Sequence, residues 1–307
     1  MATRQMEVAG LRVFVHTPAR GDVAETGTTP IVLLHGGPGV PDYLQQVGLE
    51  LCGRSSRTVI TYDQRGSGES VTTGPLSSCF CGAEGLAVEV KSHLADIETI
   101  RTHFGAKRIH VAGHSWGGLL GQLYAAQQGV RVVASLVLLS SSIGCGSDWK
   151  EMEAEVMNYN KKQCGSLTAF GKMGLHSLQG MLPGSLGDAG SQKVMATVWK
   201  NYFEKPDTAP AADKTWLLGV KSHAMHQTRN SVVKLDALLQ ISSNIPVLIL
   251  YGEPGRDIYG EMLPKRVVDR FPAAQTHFVQ GSGHLLWIDQ PAKFYDLMTS
   301  FYSRQAM

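Results

Sequence analysis

Short apolar runs alternate with helix-patterned segments along the first half of the chain. Because the apolar residues in these runs are continuous, they predict strands that are buried on both faces of a mostly parallel sheet. The five runs are LRVFVH at 11–16, IVLLH at 31–35, TVITY at 58–62, RIHVA at 108–112 and SLVLLS at 135–140.

A helix is predicted between the third and fourth of these strands. Its apolar residues recur at helical spacing, and Gly105 follows where a helix C-terminal cap belongs. Strand, helix and strand in this order predict a βαβ unit. The apolar positions are Leu86, Val90, Leu94, Ile97, Ile100 and Phe104.

The pattern changes in the middle of the chain. Residues 144–243 mix Met, Lys, Gln and Gly with weak helical periodicity and no convincing strand, whereas PVLILY at 246–251 and QTHFVQ at 275–280 again predict strands. The segment 291–302 predicts a final amphipathic helix. We therefore expect an α/β domain formed by residues 1–143 and 244–307, with a helical insertion at 144–243.

Composition is that of an ordinary globular protein. The 307 residues are 43% apolar and 18% charged, and the formal charge is +2. This balance argues against a nucleic-acid or membrane-surface partner. The N-terminal residues lack a signal-peptide pattern, and no apolar stretch reaches the length of a membrane span, so we expect a cytoplasmic protein.

The five cysteines lack a zinc-site spacing and are interpreted as free thiols: Cys52, Cys79, Cys81, Cys145 and Cys164.

One serine stands between glycines where a strand is predicted to end and a helix to begin. Gly113, Ser115 and Gly117 fill the pattern Gly-x-Ser-x-Gly directly after the run at 108–112. In this context the pattern predicts a nucleophile elbow, a tight turn that raises the serine hydroxyl above the sheet. The helix that begins near Trp116 would favour negative charge beside Ser115.

A nucleophilic serine needs a histidine base that a carboxylate orients. His284 lies in a glycine-rich loop after the last predicted strand and is the candidate base. His35, which also ends a strand, is assigned a loop-building role, and His114 is expected to pack or bond locally.

The carboxylate is expected in the loop after the strand at 246–251. Asp257 is our choice there, and Glu253 is the alternative. Asp289 is closer to His284 in sequence, but we expect it to cap the final helix.

Attack on a carbonyl also requires two donors for the oxyanion. The N–H of Trp116, immediately after the nucleophile, is one candidate. The second is expected from HGGPG at 35–39, where two glycines and a proline follow the first central strand.

Four motifs together resemble the proline iminopeptidase branch of the α/β-hydrolase superfamily: HGGPG at 35–39, DQRGSG at 63–68, GHSWGG at 113–118 and GSGH at 281–284. The resemblance implies Ser115, Asp257 and His284 as the catalytic triad, with oxyanion donors from Gly37 and Trp116. It also implies that the insertion at 144–243 forms a helical cap, and that Asp63 and Arg65 brace the glycine-rich loop.

The chain departs from that branch in two places. Relatives hold the free amino group of the substrate with cap glutamates, one of which follows a tryptophan, whereas Lys200 follows Trp199 here. A lysine would repel an ammonium group, although Glu204 could substitute as its ligand. The acid loop also differs, since the aspartate of many relatives lies three positions past the glycine and Asp257 lies five past Gly252.

We therefore expect a serine hydrolase that cleaves a small amide, ester or short peptide through an acyl-enzyme, without a metal ion or organic cofactor. One alternative is an esterase, lactonase or biosynthetic hydrolase that acts on a secondary metabolite. Another is a non-catalytic ligand-binding protein of the same fold. A serine at the elbow argues against an epoxide hydrolase or dehalogenase, which would need a carboxylate there.

Overall fold

A central sheet of eight strands organises the molecule. The computed structural model describes residues 1–18, 28–70, 88–163, 167–236, 241 and 244–305. The strands are β1 (Ala2–Val8), β2 (Leu11–Thr17), β3 (Ile31–Leu34), β4 (Val59–Tyr62), β5 (Ile109–His114), β6 (Val133–Leu139), β7 (Val247–Gly252) and β8 (Gln275–Val279).

The sheet is mostly parallel, as the continuous apolar runs predict. Its strand order is β1-β2-β4-β3-β5-β6-β7-β8, with β1 and β2 antiparallel to their neighbours and the other strands parallel. The carboxyl ends of β3 to β8 therefore lie at one edge, where ligands bind in open α/β sheets.

Helices cover both faces of the sheet. The helices on the sheet are α1 (Gln45–Ser55), α2 (Val90–His103), α3 (Trp116–Gln128), α9 (Leu263–Arg270), α10 (Leu286–Asp289) and α11 (Pro291–Ser303). The helices between β6 and β7 are α4 (Ser147–Gln163), α5 (Leu167–Gly180), α6 (Gly184–Val198), α7 (Lys214–Leu218) and α8 (Ser222–Val233).

Two hydrophobic cores explain why the strands lack polar alternation. In β3, Ile31 and Leu33 pack with α1, α10 and α11 on one face, while Val32 and Leu34 pack with α2, α3 and α9 on the other. Successive side chains of a strand point to opposite faces, so a strand covered on both sides must be apolar throughout. Each such side chain contributes about 1.5–3 kcal/mol on burial.

The predicted elements of the sheet domain are confirmed, with one strand added. Helix α2 contains Val90 to Ile100 as expected, and Gly105 follows it with a φ of +62°. Leu86 lies outside the described residues. The added strand is β1, which is largely exposed at the sheet edge and therefore has no apolar run.

Between β6 and β7 the described residues are helical. Helices α4 to α8 lie there together with two 3₁₀ turns, at Trp199–Tyr202 and Pro206–Thr208, and no strand occurs in the described part of this insertion. Cys52 and Cys145 are buried free thiols, while Cys79, Cys81 and Cys164 lie outside the described residues.

Candidate active site

Ser115 occupies a strained turn between β5 and α3. Its φ of 55° and ψ of −119° are unusual for a residue with a side chain. The flanking glycines are required by space, since a Cβ on Gly113 would overlap the Gly117 carbonyl and a Cβ on Gly117 would overlap the Leu34 carbonyl. The turn leaves Ser115 partly exposed at the carboxyl edge of the sheet.

His284 and Asp257 form a buried pair at the same edge. The Nδ1 of His284 lies 3.1 Å from Oδ1 of Asp257, and both side chains are almost fully buried. Since an ionised carboxylate only accepts hydrogen bonds, Nδ1 of His284 donates to Asp257, which leaves Nε2 as the ring nitrogen that can accept a proton.

Other donors keep Asp257 charged. The hydroxyl of Ser140 donates to Oδ2 at 2.5 Å, and the Tyr259 N–H donates to Oδ1 at 3.2 Å. Burial by itself raises the pKa of the Asp257 carboxyl, but the His284 ring and these hydrogen bonds together bring that pKa below its usual value.

Glu253, the alternative acid, lies elsewhere in the same loop. Its carboxylate accepts a hydrogen bond from the Gly281 N–H at 2.8 Å and pairs with Arg256 at 3.3 Å. Glu253 therefore connects the loop after β7 to the loop after β8, while Asp257 contacts the ring of His284.

Asp289 does not cap the final helix, contrary to the sequence expectation. Helix α11 begins at Pro291, its N-cap is Gln290, and that N-cap makes no side-chain capping bond. Asp289 instead ends α10, and its Oδ2 accepts hydrogen bonds from the N–H groups of Gly283 at 2.8 Å and Glu204 at 3.0 Å. It therefore fastens the His284 loop to the helical insertion.

The HGGPG loop packs closely against Ser115. A Cβ on Gly36 would lie 2.7 Å from Cβ of Ser115, so only glycine permits this approach. The Gly36 N–H is already used, since it donates to the Tyr43 hydroxyl at 2.8 Å. The N–H of Gly37, which comes next in the loop, and the N–H of Trp116, the first residue of α3, stay the predicted oxyanion donors. A first helical residue has no intrahelical acceptor for its N–H.

A hydrogen-bond chain joins this loop to the His284 loop. The Tyr43 hydroxyl accepts from the Gly36 N–H and donates its own hydrogen to Nδ1 of His114 at 2.6 Å, because that nitrogen is unprotonated when Nε2 carries the hydrogen of the neutral ring. The Nε2 of His114 then donates to the backbone carbonyl of His284 at 3.0 Å. Burial lowers the pKa of His114 well below its usual value, so the ring stays neutral and this pattern persists. His114 packs and bonds within this site, but its partners Tyr43 and His284 lie 71 and 170 residues away along the chain.

The other loop residues have supporting contacts. His35 accepts from the Gln64 N–H through Nε2 at 3.1 Å, in keeping with its expected loop-building role. Asp63 accepts from the Asp42 N–H at 2.8 Å and so braces the segment after the glycines. Arg65 does not brace that segment, because its guanidinium pairs with Asp96 on α2.

Lys200 and Glu204 lie in the insertion next to the His284 loop. Lys200 is exposed in the 3₁₀ turn at Trp199–Tyr202, and the carbonyl of Tyr202 accepts from the His284 N–H at 2.8 Å. The Glu204 carboxylate is engaged, since it pairs with Arg256 at 2.6 Å and Lys205 at 3.8 Å. A glutamate already paired with two cations is a weaker ligand for a substrate ammonium group.

The insertion also reaches the HGGPG loop. The Lys221 N–H donates to the Gly39 carbonyl at 2.8 Å, and the indole N–H of Trp216 donates to the Pro41 carbonyl at 3.1 Å. Trp216 packs edge-on against Tyr43 at a ring distance of 6.1 Å. The insertion therefore contacts the loops on both sides of Ser115.

Sequence reasoning missed Tyr259, which contacts Ser115. Its hydroxyl lies 2.9 Å from Oγ of Ser115 and 2.9 Å from Oγ of Ser142. The serines at 140–142 directly follow β6, and strand ends at the carboxyl edge of a parallel sheet are where site residues gather, so the available signal was their position. Tyr259 itself carries no sequence signal beyond its place two residues after Asp257.

Neither a metal cluster nor a membrane span is found in the described part of the chain. No three or more His, Cys, Asp or Glu side chains among the described residues could together hold a metal ion. Within the same residues, no helix has the length and apolar character needed to cross a bilayer.

Comparison with known proteins identifies the family. A family model described as alpha/beta hydrolase fold matches residues 29–291. The proline iminopeptidase of Lactobacillus delbrueckii subsp. bulgaricus is 25% identical over 284 residues, which cover 91% of this chain and 92% of the relative.

Solved structures share the fold. A proline iminopeptidase from Mycobacterium smegmatis is similar with a TM-score of 0.62 at 19% identity, covering 99% of this chain and 98% of that one. An esterase from Exiguobacterium antarcticum gives a TM-score of 0.62 at 16% identity, covering 99% and 100%. The resemblance inferred from the four motifs is confirmed, and so is the interpretation of the protein as a hydrolase of the serine type. The chain belongs to the α/β hydrolase fold family, and within it resembles the proline iminopeptidase branch.

Proposed function

We propose that this protein cleaves a small neutral ester or blocked amide, with Ser115 as nucleophile, His284 as base and Asp257 as the acid that orients it. The observation that carries the proposal is the arrangement at one sheet edge of a strained Ser115 and a buried His284–Asp257 pair bonded at 3.1 Å. Strain and buried charge of this kind are concentrated at catalytic sites.

In the proposed reaction Oγ of Ser115 attacks the carbonyl carbon while Nε2 of His284 takes the hydroxyl proton. Asp257 stays ionised and stabilises the imidazolium, and the N–H groups of Gly37 and Trp116 receive the oxyanion. His284 then gives its proton to the leaving group, which departs and leaves an acyl-enzyme. Water hydrolyses that ester by the same steps.

The substrate class is argued from the charges beside the His284 loop. Lys200 follows Trp199, as a cap glutamate follows a tryptophan in the branch that this chain resembles, and Glu204 is paired with Arg256 and Lys205. An ammonium group entering here meets cations instead of free carboxylates. We therefore propose that the enzyme disfavours the free N-terminal proline that a proline iminopeptidase removes.

The helical insertion is proposed to act as a cap over this site, with boundaries at residues 144–243. The contacts of Tyr202 with the His284 loop, and of Lys221 with the HGGPG loop, support this role. A cap held at two loops would limit the site to small acyl groups or short peptides. We also propose a cytoplasmic protein, for which the buried free thiols of Cys52 and Cys145 are the support.

The test is turnover of p-nitrophenyl acetate and N-acetylprolyl-2-naphthylamide by the wild type and Ser115→Ala. Because the triad members act as a unit, the variant is expected to lose about 10⁴-fold or more in kcat. A far-UV circular dichroism melt shows whether the variant is folded. A folded variant that keeps a tenth of the wild-type rate would contradict the assignment.

A further inference from the structure

Tyr259 contacts all three residues of the proposed triad. Its hydroxyl lies 2.9 Å from Oγ of Ser115, its ring meets the His284 ring edge-on at 5.1 Å, and its N–H donates to Asp257 at 3.2 Å. The side chain is only 2% exposed. Among the described residues, the hydrogen-bond partner of Ser115 Oγ is thus Tyr259 and not His284.

The Tyr259 hydroxyl has a second hydrogen-bond partner, the hydroxyl of Ser142. The two hydroxyl oxygens are 2.9 Å apart. Ser142 is itself fixed, since its N–H donates to the Ser115 carbonyl at 2.9 Å and its carbonyl accepts from Gln122 of α3 at 3.2 Å. The position of the Tyr259 hydroxyl is therefore set before any substrate binds, which is what electrostatic catalysis requires.

The direction of these hydrogen bonds follows from the protons available. Burial raises the pKa of Tyr259, so the phenol keeps its single hydrogen at neutral pH. Ser115 must present its own hydrogen to His284 for the attack. For that attack the Tyr259 hydrogen must point to a lone pair of Ser115 Oγ, and the Ser142 hydrogen must then point to Tyr259.

We propose that Tyr259 is a further catalytic residue, which donates a hydrogen bond to Oγ of Ser115 as that oxygen leaves the acyl-enzyme, and that Ser142 positions it. This inference rests on the proposed function of Ser115. Because the hydroxyl touches a reacting atom, its effect is on the chemical step itself.

In deacylation, water adds to the acyl carbon while its proton passes to Nε2 of His284, and the carbonyl electron pair moves onto the oxygen. That pair then returns, the bond between carbon and Ser115 Oγ breaks, and its electrons stay on Oγ. Oγ takes the proton back from His284, and the carboxylic acid is released. Tyr259 keeps its proton throughout.

The hydrogen bond matters more for deacylation than for acylation. An ester oxygen is a poor acceptor, whereas the departing Oγ carries negative charge, and hydrogen bonds to charged oxygens are about twice as strong. In acylation the starting Ser115 hydroxyl is already a good hydrogen-bond acceptor, so the hydrogen bond from Tyr259 strengthens less between the ground state and the transition state. Only interactions that strengthen in the transition state accelerate a step.

Stopped-flow hydrolysis of p-nitrophenyl acetate by Tyr259→Phe separates the two steps. We expect the steady-state rate to fall about 10- to 100-fold, the effect of one hydrogen bond to a charged group. The acylation phase should change by less than about threefold, so a burst of about one p-nitrophenol per enzyme precedes the slow phase. Mass spectrometry of quenched samples should then find acetylated Ser115.

Tyr251→Phe is the matched control, because Tyr251 is also buried and donates to the Ser141 carbonyl at 2.6 Å without touching a reacting atom. We expect wild-type rates in both phases for this variant. Ser142→Ala should slow deacylation in the same sense as Tyr259→Phe, to a smaller extent, and provides the test if Tyr259→Phe does not fold.

Any other pattern overturns the inference: equal losses in both phases, a loss confined to acylation, or unchanged rates in a folded Tyr259→Phe. Failure of the proposed function gives a different result, since the wild type would then form no acetyl adduct on Ser115 at all.

Discussion

Nε2 of His114 donates a hydrogen bond to the backbone carbonyl of His284 at 3.0 Å, so the residue before the proposed nucleophile supports the loop of the proposed base. Through Tyr43, the same ring is joined to Gly36 of the HGGPG loop. The loops of the proposed oxyanion donor and of the proposed base are thus joined by one chain of hydrogen bonds.

Tyr43→Phe removes the hydroxyl that this chain of hydrogen bonds needs, and the aromatic ring that remains still fills the same space. The Gly36 N–H loses its acceptor, and the loop that carries Gly37 loses one of the hydrogen bonds that hold it. Complete loss of one oxyanion donor lowers kcat about 10²- to 10³-fold. Because Tyr43→Phe should displace the Gly37 N–H and not remove it, we expect kcat to fall about 10-fold or more, with little change in KM. Initial rates against substrate concentration measure both.

Tyr302→Phe is the control for Tyr43→Phe, because the buried Tyr302 hydroxyl has no hydrogen-bond partner among the described residues. We expect its kinetics to equal those of the wild type. Equal kcat for Tyr43→Phe and Tyr302→Phe would show that the hydrogen-bond chain does not position the oxyanion loop.

Asp257 and Glu253 can be separated by amide substitutions of the same shape. Asp257→Asn removes the charge that orients His284, and the precedent for this change in a serine protease is a loss of about 10⁴ in kcat. Glu253→Gln should have a mild effect, since its partners are the Gly281 N–H and Arg256. A larger loss from Glu253→Gln than from Asp257→Asn would contradict the assignment of the acid.

Much of this site follows from sequence, because its residues lie where strands meet loops. The apolar runs predict the strands, and the strand ends then bring Ser115, Asp257 and His284 to one edge. Tyr43 and Tyr259 could not be found this way, since each acts through a hydroxyl whose partner is distant in the chain and tyrosine is common in cores. Asp289 was assigned to the wrong helix because its bonds to Gly283 and Glu204 are long-range contacts, which no local pattern encodes.

Lys200 is expected to set the preference between charged and neutral substrates. Prolyl-2-naphthylamide and its N-acetyl form have the same leaving group and differ in the charge of the amine. We predict a higher kcat/KM for the acetylated compound. In Lys200→Glu the ratio of kcat/KM for the acetylated compound to kcat/KM for the free amine should fall by up to about 30-fold, since exposed unit charges about 4 Å apart interact by about 1 kcal/mol and the substitution reverses the sign of that interaction.

Lys107→Glu is the charge-matched control, because Lys107 is exposed just before β5, at the opposite edge of the sheet from the site. For this variant, the ratio of kcat/KM for the acetylated compound to kcat/KM for the free amine should equal that of the wild type. If the free proline compound is the better substrate by tenfold or more, the proposed role of Lys200 is wrong.

Buried histidines should make the fold sensitive to mild acid. Burial lowers the pKa of His16 to about 4 and the pKa values of His93 and His110 to about 3. Above pH 6.5 these rings are neutral in both states. Below it the unfolded chain binds protons that the fold excludes, so stability falls as the pH decreases. As the pH falls from 7 to 5.5, protonation of each of these histidines in the unfolded chain should lower the free energy of unfolding by about 1 kcal/mol.

Urea unfolding at the two pH values measures this loss for the wild type and His93→Gln. The difference between the free energies of unfolding at pH 7 and at pH 5.5 should be about 1 kcal/mol smaller in the variant than in the wild type, whatever the absolute stability of the variant. His103→Gln, on the exposed end of α2, should leave the difference unchanged. An unchanged difference in His93→Gln would contradict the neutral, buried state of that ring.

The central claim is that Ser115 is a nucleophile activated by His284, and a fluorophosphonate probe tests it most directly. Intact-mass analysis after incubation should find one adduct per chain, peptide mapping should locate it on Ser115, and Ser115→Ala should remain unlabelled. His284→Gln should react at least about 10²-fold more slowly, because general-base catalysis contributes about 10²–10⁴. A folded wild-type protein that forms no adduct, or an adduct on another residue that persists in Ser115→Ala, would contradict the claim.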